Sequence, residues 1–186
     1  MMQFVIDAIK AIDPFDEIEQ QHKDDTVAWL GSGDGVYRDQ NPGKHLVSYF
    51  VLFDKKRGKL MLIDHVKAKL WLPTGGHVEL DEDPRTTVLR EAYEELQIHP
   101  VFEPGLGSAP LFMTVTQTKG ANPHTDVSLW YVVSGDSEET LSYDQREMNG
   151  YKWLTLDEVL ATDSTELDPH MHRFVRKMQR TLKETR

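Results

Sequence analysis

Residues 75–98 read GGHVELDEDPRTTVLREAYEELQI, a glycine-rich stretch followed by a helical pattern in which the carboxylates cluster. Asp83 is placed to cap the helix and Pro84 to open it. At about 100° per residue, Val88, Leu89, Ala92, Tyr93 and Leu96 share one arc, and Glu91, Glu94 and Glu95 fall on the opposite side. The first arc is expected to pack and the second to present three carboxylates. Like charges three and four residues apart cost a helix several tenths of a kcal/mol per pair, so the grouping calls for a compensating cation or a solvated face. A hard divalent ion such as Mg²⁺ suits such a face, because it binds carboxylate oxygen, keeps several waters and bridges to phosphates. A Glu-rich exposed helix is the plain alternative.

The surrounding spacing favours the cation. Gly76, five residues, Glu82, seven residues, then Arg90-Glu91-Ala92-x-Glu94-Glu95-x-x-Ile98 resembles the Nudix box, G-x5-E-x7-R-E-U-x-E-E-x-G-U with U a bulky aliphatic residue. The chain departs from it at Ala92, a small substitute for the first U, and at Gln97, which replaces the last glycine. A left-handed turn is expected at that glycine, and Gln97 can adopt it at some strain. The resemblance runs over roughly residues 41–160, taking in the preceding strand pair, the Leu72-Pro73-Thr74-Gly75-Gly76 approach and a late segment around Trp153.

That resemblance implies an α/β/α sandwich with a mixed sheet and a loop-helix-loop that binds metal and diphosphate. Carried over by position, Glu94 and Glu95 look like principal metal ligands, Glu91 like a further ligand or a base, and the Gly75 carbonyl like a backbone ligand. Arg90 looks like a support that holds one of the carboxylates by a bidentate bond. Glu82 looks structural, near the positive end of the helix. Glu147, shortly before Tyr151-Lys152-Trp153, stands where a late-loop carboxylate completes the site in related enzymes. The implied cofactor is Mg²⁺, with Mn²⁺ a workable substitute. The implied reaction is water attack at phosphorus on a nucleoside diphosphate derivative or nucleoside triphosphate, a small-molecule nucleotide. The rivals are a nucleotide-sensing Nudix-like module without catalysis, and an isopentenyl diphosphate isomerase. The second is disfavoured because the common enzyme of that type needs a catalytic cysteine and this chain has none.

Other polar residues are candidates for substrate contact. Gly76 and His77 follow the glycine approach, and His124-Thr125-Asp126 precedes a strand whose alternation can point a polar pair into a cleft. His45, before the first strand, is a further candidate, although a lone histidine is more simply a hydrogen-bonded structural residue. Trp71, Trp130 and Trp153 could stack on a base, but strand tryptophans more commonly fill a core.

These residues need elements to position them. Two N-terminal helices are expected, Met2 to Ile12 and Pro14 to about Leu30, with Asp13 as cap, ended by the linker Gly31-Ser32-Gly33-Asp34-Gly35. Strands are expected at Leu46 to Phe53, Leu60 to Ile63, Leu70 to Leu72, Leu111 to Gln117, Val127 to Val133 and Tyr151 to Leu154. Helices are expected at Pro84 to Leu96 and Leu156 to Ala161. A last helix follows the Asp168-Pro169 cap pair, with Met171, Phe174, Val175, Met178 and Leu182 on its apolar face. Arg173, Arg176, Lys177, Arg180 and Lys183 are read as its solvated side. Residues 1–186 are expected to form one domain: a helical extension over 1–40, a core over 41–163 and a C-terminal helix over 164–186.

Composition bounds the function. A net charge of -10 repels a nucleic-acid backbone, so no polymeric nucleic acid is expected as partner. An anionic substrate then requires bound cations to invert the local potential. No apolar run approaches a membrane span, and the first residues lack a secretory pattern, so a cytoplasmic location and no membrane partner are the default. With no cysteine there is neither a disulfide framework nor a thiolate site. The oligomeric state is left open, a homodimer being one option.

Overall fold

The computed structural model describes residues 2–106, 109–118 and 122–184. The elements run α1 (Met2–Lys10), α2 (Glu17–Leu30), β1 (Lys44–Asp54), β2 (Lys59–His65), β3 (Trp71–Leu72), β4 (Thr74–His77), α3 (Pro84–Leu96), β5 (Phe112–Gln117), β6 (Thr125–Ser134), β7 (Met148–Thr155), α4 (Leu156–Ala161) and α5 (Met171–Glu184). The strands form one mixed sheet of order β3-β2-β1-β6-β5, with β4 joined to β1 and β7 to β2. Helices cover both faces, as the α/β/α sandwich requires.

Alternation along the central strands divides the core. On β6, Val127, Leu129, Tyr131 and Val133 join the cluster that contains Val88, Ala92 and Leu96 of α3 and Val5 and Ile9 of α1. Trp130 and Val132, with opposite side-chain direction, pack with Met171, Phe174, Val175 and Met178 of α5. The β1 and β6 strands pair in parallel over their length, with His45 opposite Asp126. One edge of β1 is shared: Val47 to Phe50 pair with β4, and Phe53 and Asp54 pair with β2. The two partners diverge from β1, and the functional cleft lies where they part.

Several expectations are corrected. The second helix begins at Glu17, not Pro14, and its cap is Asp16, whose side chain accepts the Glu19 N–H, not Asp13. The Glu19 carboxylate also takes the Phe15 N–H at 2.7 Å, which ties the residue ahead of the cap to the first turn of the helix. The glycines at 75 and 76 lie in a strand, β4, which two glycines would not signal by propensity. Its pairing is imposed by β1. On α3, Leu89 and Tyr93 are exposed although they share the apolar arc, and only Val88, Ala92 and Leu96 of that set are buried. Trp130 is core, donating to Thr114 Oγ1 at 3.0 Å.

The basic side of α5 is not solvated throughout. Lys177 is buried and donates to Glu19 Oε1 at 2.7 Å. Arg173 pairs with Asp16 at 2.6 Å and Arg180 with Asp13 at 2.8 Å. These ion pairs tie the last helix to the first segments. Glu19 Oε1 also accepts the Met113 N–H at 3.1 Å, and His22 Nδ1 accepts the Val115 N–H at 3.3 Å. Both amides belong to the outer edge of β5, so two side chains of α2 stand in for a missing strand. This blunts an edge that would otherwise be open to pairing. Among the described residues no helix is long and apolar enough to cross a membrane.

Removing one partner of a buried ion pair leaves an uncompensated charge, which costs about 3–5 kcal/mol, whereas removing both costs less. Lys177→Met is therefore expected to lower unfolding stability by about 3 kcal/mol or more. Adding Glu19→Gln, which keeps an acceptor for Met113 and Phe15, is expected to recover part of that loss. Urea melts of the two single variants and the double variant measure the coupling; purely additive losses would show that the charges do not depend on each other.

Candidate active site

The carboxylate face of α3 is assembled against β4, and the two glycines make the approach possible. Gly75 has φ +148, and a Cβ there would stand 2.1 Å from the Ser48 carbonyl oxygen of β1. A Cβ on Gly76 would stand 1.9 Å from Glu91 Oε1. The strand thus lies flush against β1 on one side and against the Glu91 carboxylate on the other. Asp83 caps α3 by accepting the Arg85 N–H at 2.7 Å, Pro84 opens it, and Ser48 Oγ donates to the Pro84 carbonyl at 2.8 Å. At its far end Gln97 takes the left-handed conformation, φ 56 and ψ 33, in place of a glycine.

Arg90 is the hub of the face. Its bidentate bond goes to Glu82, at 2.9 and 3.0 Å, rather than to one of the three helix-face carboxylates. A single bond reaches Glu91 Oε1 at 2.7 Å, a longer one Glu94 Oε2 at 3.4 Å, and another the His77 carbonyl at 3.1 Å. Glu82 also accepts from Thr87 Oγ1 at 2.7 Å and from the Glu79 N–H at 3.1 Å. Glu82 is structural in this sense: it anchors the guanidinium that aims Glu91. Glu95 accepts from Thr74 Oγ1 and the Gly75 N–H, yet burial and the neighbouring charges of Glu91 and Glu147 push its carboxyl up to about 8. Burial likewise raises Glu91, against the lowering effect of Arg90.

Glu147 is brought to the same place from the turn before β7. Its carboxylate lies 3.4 Å from Lys67 Nζ and 4.0 Å from His65 Nε2, and the Val66 N–H donates to its carbonyl at 2.9 Å. The Asp144 N–H donates to the Glu95 carbonyl at 2.9 Å, which ties this loop to the end of α3. Gly75, Gly76, His77, Glu91, Glu94, Glu95, His124, Asp126 and Glu147 all line one cleft of about 890 Å³. That volume is in the range of small-molecule sites. Trp71, Trp130 and Trp153 do not line it.

The other part of the cleft is imidazole-rich. His45 and Asp126 are partners across β1 and β6, His124 lies two residues before Asp126, and His77 ends β4 beside β1. Their rings are close, His45 to His77 at 4.8 Å and His45 to His124 at 4.9 Å between centroids. Burial lowers His45, and burial with neighbouring basic groups takes His77 down to about 4, both of which favour the neutral ring. Tyr49, Tyr93, Arg38, Lys67, Thr118, Asn122, Asp144 and Arg146 also line the cleft. Tyr93 reads in the sequence as part of the apolar arc of the helix, and the others are not singled out because each is a common residue type on a loop or strand with no spacing to set it apart. Arg146 alone carried a signal, as a cation beside Glu147.

A Nudix-type fold with a carboxylate-bearing loop-helix-loop defines the class of protein. The family model described as NUDIX domain matches residues 43–178, and the chain belongs to the Nudix hydrolase family. A MutT-like protein of Streptomyces ambofaciens is 31% identical over 124 residues, covering 64% of this chain and 70% of its own. The fold is similar to that of the MutT protein from Methanosarcina mazei Go1, with a TM-score of 0.56 at 18% identity over 74% of this chain and 94% of that one. It is also similar to a C. elegans Ap4A hydrolase, with a TM-score of 0.55 at 17% identity over 75% of this chain and 98% of that one.

The contact between Gly76 and Glu91 yields a test that leaves the carboxylates themselves in place. Gly76→Ala is expected to displace the Glu91 carboxylate and its bond to Arg90. Loss of such a supporting contact typically costs about 10–100-fold in metal affinity. Titration with Mn²⁺ measures it; unchanged affinity would remove Glu91 from the ion-binding set.

Proposed function

We propose that the chain is a divalent-metal-dependent pyrophosphohydrolase that cleaves the diphosphate bond of a nucleoside diphosphate derivative or a nucleoside triphosphate. The observation that carries this reading is the convergence of Glu91, Glu94, Glu95 and Glu147 on one cleft, with Glu95 pushed up to about 8 by burial and its neighbours. Four carboxylates in such a cluster outnumber the cations that reach them, Arg90 and Lys67, and the donor set is the all-oxygen kind that Mg²⁺ or Mn²⁺ takes. Glu91, Glu94, Glu95 and the Gly75 carbonyl would hold it. When bound, Mg²⁺ neutralises charge on the diphosphate and lowers the pKa of water. The names of the relatives, MutT-like protein and Ap4A hydrolase, agree with a phosphoanhydride substrate.

The chain's own residues divide the remaining work. Arg90, anchored by Glu82, keeps Glu91 aimed at the cleft. Glu147 takes the proton of the attacking water, being a loop residue not bonded to the helix-face cluster. A water oxygen forms the new bond to phosphorus, the bridging P–O bond breaks, and the electron pair leaves with the departing phosphate oxygen. The products are a nucleoside monophosphate and a phosphorylated leaving group, or pyrophosphate when the substrate is a triphosphate. Lys67 and Arg146 at the cleft offer positive charge to the anion, while Gly76, His77, His124 and Asp126 face the rest of the substrate.

Phosphate release from a panel of nucleoside diphosphate derivatives, after coupling to a phosphatase, is expected only with Mg²⁺ or Mn²⁺ present. Full turnover in excess chelator would refute the metal requirement. Glu95→Gln is nearly isosteric and is expected to remove turnover while the melting temperature in chelator stays at or above the parent's. A fully active variant would contradict the site.

The two candidate bases are separated by a second comparison. Glu147→Gln is expected to lower kcat by about 10²–10⁴-fold with little change in Mg²⁺ affinity, as for loss of a general base. Glu91→Gln is expected to weaken both. The reverse pattern in metal titrations would exchange the two roles.

A further inference from the structure

We propose that His45, His77, His124 and Asp126 form a second metal site, distinct in its ligands from the carboxylate cluster and suited to a borderline transition ion such as Zn²⁺ or Co²⁺. Each residue offers one ligand atom, and these four atoms all lie within 4.8 Å of one another. Three imidazole nitrogens and one carboxylate oxygen make a set that Zn²⁺ and its neighbours bind readily and that Mg²⁺ does not prefer. In a tetrahedral site with bonds near 2.0–2.1 Å the ligand atoms stand about 3.4 Å apart. Two of the contacts are already there: Asp126 Oδ1 is 3.2 Å from His124 Nε2 and 3.5 Å from His45 Nε2.

The hydrogen bonds show why those contacts need a cation. His45 Nδ1 lies 3.1 Å from the Asn41 carbonyl, which can only accept, so Nδ1 carries the proton. In the neutral ring Nε2 is then a lone pair. That atom is buried, has no hydrogen-bond partner among the described residues, and faces Asp126 Oδ1, which is buried and unpartnered too. His45 itself is only 1% exposed. His124 repeats the pattern, its Nδ1 lying 2.9 Å from the Asn122 carbonyl while Nε2 faces the same carboxylate oxygen. The His45 lone pair thus faces another acceptor, and His124 Nε2 lies against the same oxygen. A proton on Asp126 or on His124 can bridge only one of the two contacts, whereas a shared cation satisfies all three atoms.

The supporting arrangement is that of metal-binding histidines, whose second nitrogen is held by a carbonyl so that tautomer and ring orientation are fixed. The backbone holds the set in register, since His45 and Asp126 are partners in the parallel pairing of β1 and β6. His77 and His124 are part-exposed and line the cleft, so ligand adjustment on binding falls to them. The inference does not rest on the proposed hydrolysis, because it concerns binding by ligands that the carboxylate site does not use.

Co²⁺ titration in excess Mg²⁺ tests it, read by visible absorption rather than turnover. One Co²⁺ per chain is expected, with the intense d–d bands of a nitrogen-rich low-coordinate site. The spectrum is expected to survive Glu91→Gln, Glu94→Gln and Glu95→Gln. His124→Ala and His77→Ala, changes at part-exposed positions, are expected to lose the bands and weaken binding at least tenfold. Binding that vanishes with the glutamates and persists unchanged in both histidine variants would overturn the proposal, as would the absence of Co²⁺ binding to the parent protein at equimolar concentration. Failure here with Mg²⁺-dependent turnover intact would leave the hydrolase reading standing; success with no turnover on any nucleotide would do the reverse.

Discussion

The structure depends on holding like charges together. Glu91, Glu94, Glu95 and Glu147 line one cleft, and burial with neighbouring negative charge opposes ionisation of Glu91 and Glu95. Nothing in a helix alone would keep them so close, and the geometry is maintained from outside the cluster. Arg90 is fixed by Glu82 through two parallel bonds and so reaches Glu91 from a set position. The bare backbone of Gly75 and Gly76 lets β4 fit between β1 and that carboxylate. Side-chain volume at either glycine would separate the layers that carry the charge.

The rest of the sheet makes this arrangement rigid. Because β1 shares one edge between β4 and β2, residues of all three strands line the cleft, together with Asp126 of β6. The strand beyond β6, β5, is closed by Glu19 and His22 of α2, and Glu19 is in turn neutralised by Lys177 of α5. The second and last helices, α2 and α5, therefore meet through a buried ion pair at the edge strand. Their position next to β5 gives a physical role to segments that lie largely outside the box and its strands.

The shared face of the candidate site was legible because its spacing is helical. Pro84, Glu91, Glu94 and Glu95 fall within α3 and Asp83 caps it, so periodicity and cap residues place them, while the metal-binding role came from the resemblance. The left-handed Gln97 was readable from the resemblance, because the box has a glycine at that position. What was not legible depends on contacts between distant segments. Lys177 reads as one of several surface cations until Glu19, more than a hundred residues away, takes it inside. The β4 strand is dictated by its partner and not by its own glycines, and Leu89 and Tyr93 stay exposed on an arc whose other members, Val88, Ala92 and Leu96, are buried. His45 looked like an isolated histidine because its partners are on β4 and β6, and only strand register reveals them.

The acidity of the chain makes the two ends of the cleft one electrostatic problem. A net charge of -10 disfavours any phosphate-bearing ligand, and the cationic side chains at the cleft, Arg38, Lys67 and Arg146, are solvent-screened. Bound ions would act differently from these side chains. They sit where the carboxylates and imidazoles converge, in partly desolvated surroundings where charge is screened less. A hard ion at Glu91, Glu94 and Glu95 and a softer one at His45, His77, His124 and Asp126 would occupy sites that do not compete, because oxygen-only and nitrogen-rich sets sort ions by chemistry. An anion with charge at two places along its length would then be drawn into the cleft in one orientation, and an acidic protein would bind it without needing a basic surface.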